Sequence, residues 1–241
     1  MRIVRIGSGA LLGLLALLLL WAAGVVEPPE GLSRRLAVLS AVYPEKGDDA
    51  VAERIPCPPL RHLRLYVVCT EGCEGIWRIV GVRGLVTTNI QNLIQPPAES
   101  SLEARFRANA AIAREHLRLD ARGAQEMVGC YLRLSGLSPE LVLGEADAAL
   151  VERSRGQGEE AMAAIAASFD DPDAAPRIRL RQMAEGYAAT LLYWDRWRPG
   201  EPIERLEYLL ARDGRLLSAA ARDEPLTGGT ASGNTPDRSP P

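Results

Sequence analysis

Between Ala10 and Val26 the chain reads ALLGLLALLLLWAAGVV, an uncharged apolar run preceded by Arg2 and Arg5. Three arrangements hide such a run from water: a membrane, a signal segment that is cut away, or a protein core. As a helix rising 1.5 Å per residue it extends roughly 26 Å, at the lower edge of what spans a hydrocarbon layer of ~30 Å. This favours a signal anchor. Ala22 and Gly24 nevertheless occupy the −3 and −1 positions of a cleavage site before Val25, and Pro28-Pro29 follows directly. The anchor and the signal peptide cleaved near Gly24 therefore both stay open. The arginines lie before the run and Glu27 and Glu30 after it, an asymmetry that keeps the amino terminus in the cytoplasm and sends the rest across. With no cysteine close behind the run, a lipid anchor on a cysteine is excluded.

With the first 30 residues set aside, about 210 of the 241 remain, enough for one well-buried domain. Lys46 is the one lysine among 28 basic residues. The arginines are interspersed with acids throughout, and the net charge is −3. No basic stripe of the kind nucleic acids require is present, so no nucleic-acid partner is expected.

Cys57, Cys69, Cys73 and Cys130 all follow the apolar run, and an even count on the exported side reads as two disulfides. Sequence alone does not separate the three pairings. Cys69 and Cys73 are close neighbours in CTEGC, and a local bridge there leaves Cys57 for Cys130, which would close a loop of over seventy residues.

Along the chain, Leu36, Leu39 and Val42 mark a short helix over 33–42, and residues 44–59 read as a charged, proline-rich linker. Alternation over 63–68 and the β-branched run 76–82, joined by TEGCEG, predict a β-hairpin, with a third strand over 85–94. Helices are expected over 100–117, opened by the capping pair Ser100 and Glu103, and over 124–134, 138–153, 159–169 and 175–194. Asp213-Gly214 predicts a hairpin between strands over 205–210 and 216–219, with a helix over 203–211 as the competing reading of the first. The expectation is an α+β chain: 1–26 a signal anchor or signal peptide, 27–59 a short helix and linker, 60–226 one helix-rich, disulfide-bonded exported domain with β-hairpins, and 227–241 a disordered tail.

Catalytic motifs are lacking. His62 and His116 stand apart in sequence, there is no G-x-S-x-G, and Asp170, Asp171 and Asp173 do not continue as a calcium loop. Gly156-Gln-Gly158 follows a helix rather than a strand, which fails the context of a nucleotide loop. No cofactor or metal site is expected. A redox pair at Cys69 and Cys73 would need a helix amino terminus to activate a thiol, and its flanks read as strands. Tyr187, Tyr193, Trp194 and Trp197 form the densest aromatic cluster, readable as core or as an interaction surface. Together these features lead to the expectation of a single-pass inner-membrane protein held by residues 10–26, whose periplasmic domain serves a cell-envelope assembly through a protein partner. A periplasmic enzyme or small-ligand binder is the rival, with a thiol-redox protein behind it.

Overall fold

The computed structural model of the protein describes residues 8–22, 26–41, 50–70, 77–93, 102–135, 137–168, 177–195 and 202–222. Its elements are α1 (Ser8–Ala22), α2 (Glu30–Ala41), β1 (Ala50–Ile55), β2 (Leu63–Thr70), β3 (Trp77–Arg83), β4 (Val86–Leu93), α3 (Leu102–Ala113) and α4 (Ala121–Leu134), then β5 (Val142–Leu143), α5 (Glu145–Ser154), α6 (Glu159–Ser168), β6 (Arg179–Gln182), β7 (Gly186–Tyr193), β8 (Glu204–Ala211) and β9 (Leu216–Arg222). The fold is α+β with two antiparallel sheets. Sheet A is a four-stranded meander in the order β1-β2-β3-β4; in sheet B the order is β5-β7-β8-β9, with β6 also pairing with β7. The domain expected to be helix-rich is thus built around strands.

Five layers follow from which faces are apolar. α2 lays Ala37 and Ala41 on one face of sheet A, against Ala52, Tyr66, Val68, Val80 and Val82. The opposite face contributes Leu65, Ile79 and Ile90 to the main core, which α3 and α4 fill together with Leu191, Leu206 and Leu210 from sheet B. α4 is the hub of this core: Ala124, Met127, Val128, Cys130 and Leu132 are fully buried. A helix buried on nearly every side must satisfy its ends internally, and Asp120 caps it by accepting from the Gly123 N–H at 2.7 Å. On the far face of sheet B, α5 and α6 cover Leu143, Trp194 and Ile203 with Ala148, Val151 and Met162.

Several sequence expectations change. Part of the linker at 44–59 is the edge strand β1, where Glu53 and Arg54 are tolerated because that edge faces solvent. The helix over 138–153 splits into a 3-10 turn at Pro139–Leu141, the short β5 and then α5. The largest correction is the helix over 175–194, which is β6 and β7. Tyr187, Ala189, Leu191 and Tyr193 are buried on alternate positions, and this period of two prevails because β8 offers a complete ladder from Gly186↔Ala211 to Tyr193↔Glu204. The two-residue bend after Met183 is closed by its N–H to the Gly186 carbonyl at 2.9 Å.

α1 has 15 residues, roughly 22 Å at 1.5 Å per residue. Among the described residues no helix is long and apolar enough to cross a membrane; residues 23–25 of the span expected over 10–26 lie outside the described residues. Its leucines are nonetheless exposed, Leu12 and Leu19 by more than 60%. The expected tail at 227–241 lies outside the described residues.

Candidate functional site

Sheet B presents two half-faces to the outside. One is covered by α5 and α6; on the other, Arg179, Arg181, Ser218 and Ala220 are exposed among the described residues. In an antiparallel sheet, residues opposite one another share a face, which assembles two rows: Arg179, Thr190, Glu207 and Ala220, and Arg181, Ala188, Leu209 and Ser218. The floor of small side chains leaves a groove of about 570 Å³. A second cleft of about 410 Å³, bounded by Gly144, Glu145, Arg177 and Leu192, shares Arg179, Thr190 and Arg205 with it. The two form one arginine-lined surface.

The arginines are held by acids at its rim. Arg179 pairs with Glu145 and Arg177 with Asp147, both acids from α5, while Arg205 lies 3.5 Å from Glu207 on its own strand. Gly144 lets the Arg177 side chain pass: a Cβ there would lie 2.8 Å from its Nη1. Arg181 is exposed on β6. Chemically this surface offers planar guanidinium donors to carboxylates.

Of the aromatic cluster readable as core or as an interaction surface, the described members lie in the core. Tyr187, Tyr193 and Trp194 are buried, Trp194 to 1% exposure, because β7 turns Tyr187 and Tyr193 towards α4 and the α5–α6 pair closes over Trp194. Trp197 lies outside the described residues. Cys57 and Cys130 are joined by a disulfide with their Cα atoms 5.1 Å apart, tying the β1–β2 loop to α4. Cys69 is also disulfide-bonded and sits in β2 opposite Val51; Cys73 lies outside the described residues.

Folding brings His62 to the segment that carries His116. Glu115, its carboxylate fully buried, accepts from the backbone N–H groups of Arg61 at 3.0 Å and His62 at 2.8 Å, with Arg83 at 3.7 Å. This is a joint between α3 and the β1–β2 loop, not a cleft, and neither histidine lines the two clefts. Among the described residues no group of three or more His, Cys, Asp or Glu side chains is placed to hold a metal ion.

A second ionic joint fixes α2 on sheet A. Arg64 donates to the Pro28 carbonyl at 2.8 Å and the Ser33 hydroxyl at 3.0 Å, and pairs with Glu27 and Glu30. Burial opposes its charge, but the hydrogen bond and charge of Glu27 outweigh that and raise its pKa. Tyr66 donates to Glu30 at 3.1 Å, and burial followed by that carboxylate pushes its hydroxyl above the ordinary value. Tyr66 therefore stays neutral and serves as a donor.

Sequence reasoning missed the arginine face because β6 and β7 were read as helix, which scatters Arg179, Arg181 and Thr190 around a cylinder. Only strand periodicity aligns them. No protein family, curated protein or solved structure matches the chain.

Proposed function

We propose that the protein is a tethered interaction module of a bacterial cell envelope, with its two-sheet domain on the periplasmic side. The disulfide Cys57–Cys130 suggests an oxidising, extracytoplasmic compartment. The tether is α1 with its flanks: no charge interrupts the sequence between Arg5 and Glu27, a stretch of roughly 30 Å if helical throughout. The partner is a protein presenting an acidic segment to this exposed half of sheet B. The observation that carries this reading is the group of Arg179, Arg181 and Arg205 around a floor of Ala188, Thr190, Ser218 and Ala220, beside α5 and α6. Arginine is favoured at interface centres, and small floor residues allow close approach.

The test is a photoreactive side chain placed at Ser218 in the full chain, in a bacterial host. It is expected to give a discrete adduct with an envelope protein that is lost on Arg179→Glu with Arg181→Glu. A probe at Val51, on the far sheet, gives none. Adducts at Val51 equal to those at Ser218, or none from Ser218, would end the proposal.

A second reading, capture of a small carboxylate ligand, rests on the 410 Å³ cleft, which is within the usual range for such sites. In that case titration calorimetry with short dicarboxylates gives saturable heat that Arg205→Ala removes. No observation favours the thiol-redox alternative at Cys69 and Cys73.

A further inference from the structure

We infer that the β3–β4 turn of sheet A is a second membrane contact, resting in the headgroup region of the phospholipid bilayer that holds α1. The inference depends on the tether proposed above. Its basis is a direct join: the Leu85 N–H donates to the Trp21 carbonyl at 3.2 Å, so the last turn of α1 is fastened to the tip of this hairpin. The tip is Gly84-Leu85, its tight turn made by the positive φ of 58° at Gly84, and Val86, 51% exposed, follows it as the first residue of β4 opposite Arg83. Apolar side chains at an exposed hairpin tip are costly in water, and here they adjoin a helix whose leucines from Leu12 to Leu20 are exposed among the described residues.

Trp21 supplies the depth. Tryptophan favours the boundary between hydrocarbon and water, and this one is half-buried where α1 meets the turn. Charge resumes at Glu27 and continues through Glu30 and Arg64, which hold each other at the start of α2. Those groups mark the aqueous side.

Register then orients the domain. Ile55 pairs with Leu65 and Leu63 with Arg83, so the β1–β2 loop with Cys57 lies at the same end of sheet A as the β3–β4 turn. Val51 pairs with Cys69 at the opposite end. The strands of sheet A thus stand on the bilayer with the Cys57–Cys130 bridge near it and Val51 away from it.

The test places an environment-sensitive nitrobenzoxadiazole label on single added cysteines in the full chain, Leu17→Cys, Val86→Cys and Val51→Cys, without reductant. The protein is reconstituted into vesicles of phosphatidylethanolamine and phosphatidylglycerol. All three side chains are solvent-exposed, and a far-ultraviolet circular dichroism spectrum checks each fold. Labels at positions 17 and 86 are expected to brighten severalfold and shift to the blue. Spin-labelled lipids quench position 17 best from deep in the chains and position 86 best from near the headgroup, while position 51 stays water-like. A label at 86 matching that at 51, with 17 in lipid, overturns the inference and leaves the tether standing. A label at 17 in water removes the tether, and the inference with it.

Discussion

The side-chain amide of Asn109 meets both backbone groups of Leu216. Its Nδ2 donates to the Leu216 carbonyl at 2.8 Å, and its Oδ1 accepts from the Leu216 N–H at 2.8 Å. One side chain on α3 thereby stands in for a neighbouring strand at the start of the edge strand β9. Tyr131 donates to the Gly214 carbonyl at 2.9 Å and holds the preceding turn from α4.

Replacing Asn109 by Leu removes both bonds and leaves the Leu216 groups without them. At roughly 1–3 kcal/mol for an unsatisfied backbone group, the expected loss is about 2–4 kcal/mol, read from urea unfolding. Asn109→Asp keeps the acceptor but sets a carboxylate oxygen against the Leu216 carbonyl, so a loss of similar size is expected at neutral pH. Equal stability of Asn109→Leu and the parent would show that the clamp contributes nothing.

The Cys57–Cys130 bridge spans a sequence separation of 73 residues. In the chain-entropy account, a loop of this size is worth up to ~4 kcal/mol. Cys57→Ser is therefore expected to lower the urea midpoint substantially. Cys130→Ser should cost more, because it also places a hydroxyl in the fully buried heart of α4. Reversal of this order would contradict the placement of Cys130 in the core.

Gly186 opens β7 against β8, and a Cβ on it would lie 1.8 Å from the Leu210 carbonyl oxygen. Gly186→Ala is expected to cost more than ~3 kcal/mol or to prevent folding, since backbone cannot yield there. Gly31 in α2 has nothing within 4 Å of a built Cβ; Gly31→Ala should instead stabilise by up to ~1 kcal/mol. Thermal denaturation of the two variants tests both expectations.

Burial pushes the Tyr208 hydroxyl up to about 12, aided by Tyr193 and Glu204. Between pH 10 and 12 the unfolded chain has released this proton and the folded one still holds it, so stability falls as pH rises through that window. At ~1.4 kcal/mol per unit, the loss approaches about 2–3 kcal/mol. Tyr131 is shifted further in the same direction by its burial. Absorbance of tyrosinate during alkaline titration should show a late, cooperative component, and Tyr208→Phe should make urea stability less steep in pH above 10.

Much of sheet A was legible because its strands carry a local signature. Leu63, Leu65 and Val67 alternate, the TEGCEG segment marks a break, and a hairpin is the one local solution. α3, α4 and α6 were legible for the corresponding reason, a stripe at helical spacing. The β8–β9 hairpin announced itself through Asp213-Gly214, where Gly214 takes a φ of 84° and a Cβ would lie 2.9 Å from Leu117. β6 and β7 were not legible. Ile178, Met183, Tyr187 and Leu191 are compatible with either period, and the choice depends on β8, which follows later in sequence.

Glu115 illustrates a second limit. Beside Arg114 and His116 at a helix end it reads as a solvated charge, yet it is buried because the β1–β2 loop supplies two N–H groups to it. Trp194 shows the same limit from the other side: its sequence neighbourhood is compatible with core or surface, and only the cover of α5 and α6 makes it core.

By itself, then, the sequence determined what is encoded within a few residues: the apolar run, the period of each self-consistent strand or helix, the turn at Gly214, and a cysteine count that makes disulfides the natural state. Tertiary structure decided the pairing of Cys57 with Cys130, the strand identity of β6 and β7, and the assembly of Arg179, Arg181 and Arg205 on one face. Each of these depends on ladder bonds or side-chain burial between segments distant in sequence, and such energies have no counterpart in local spacing.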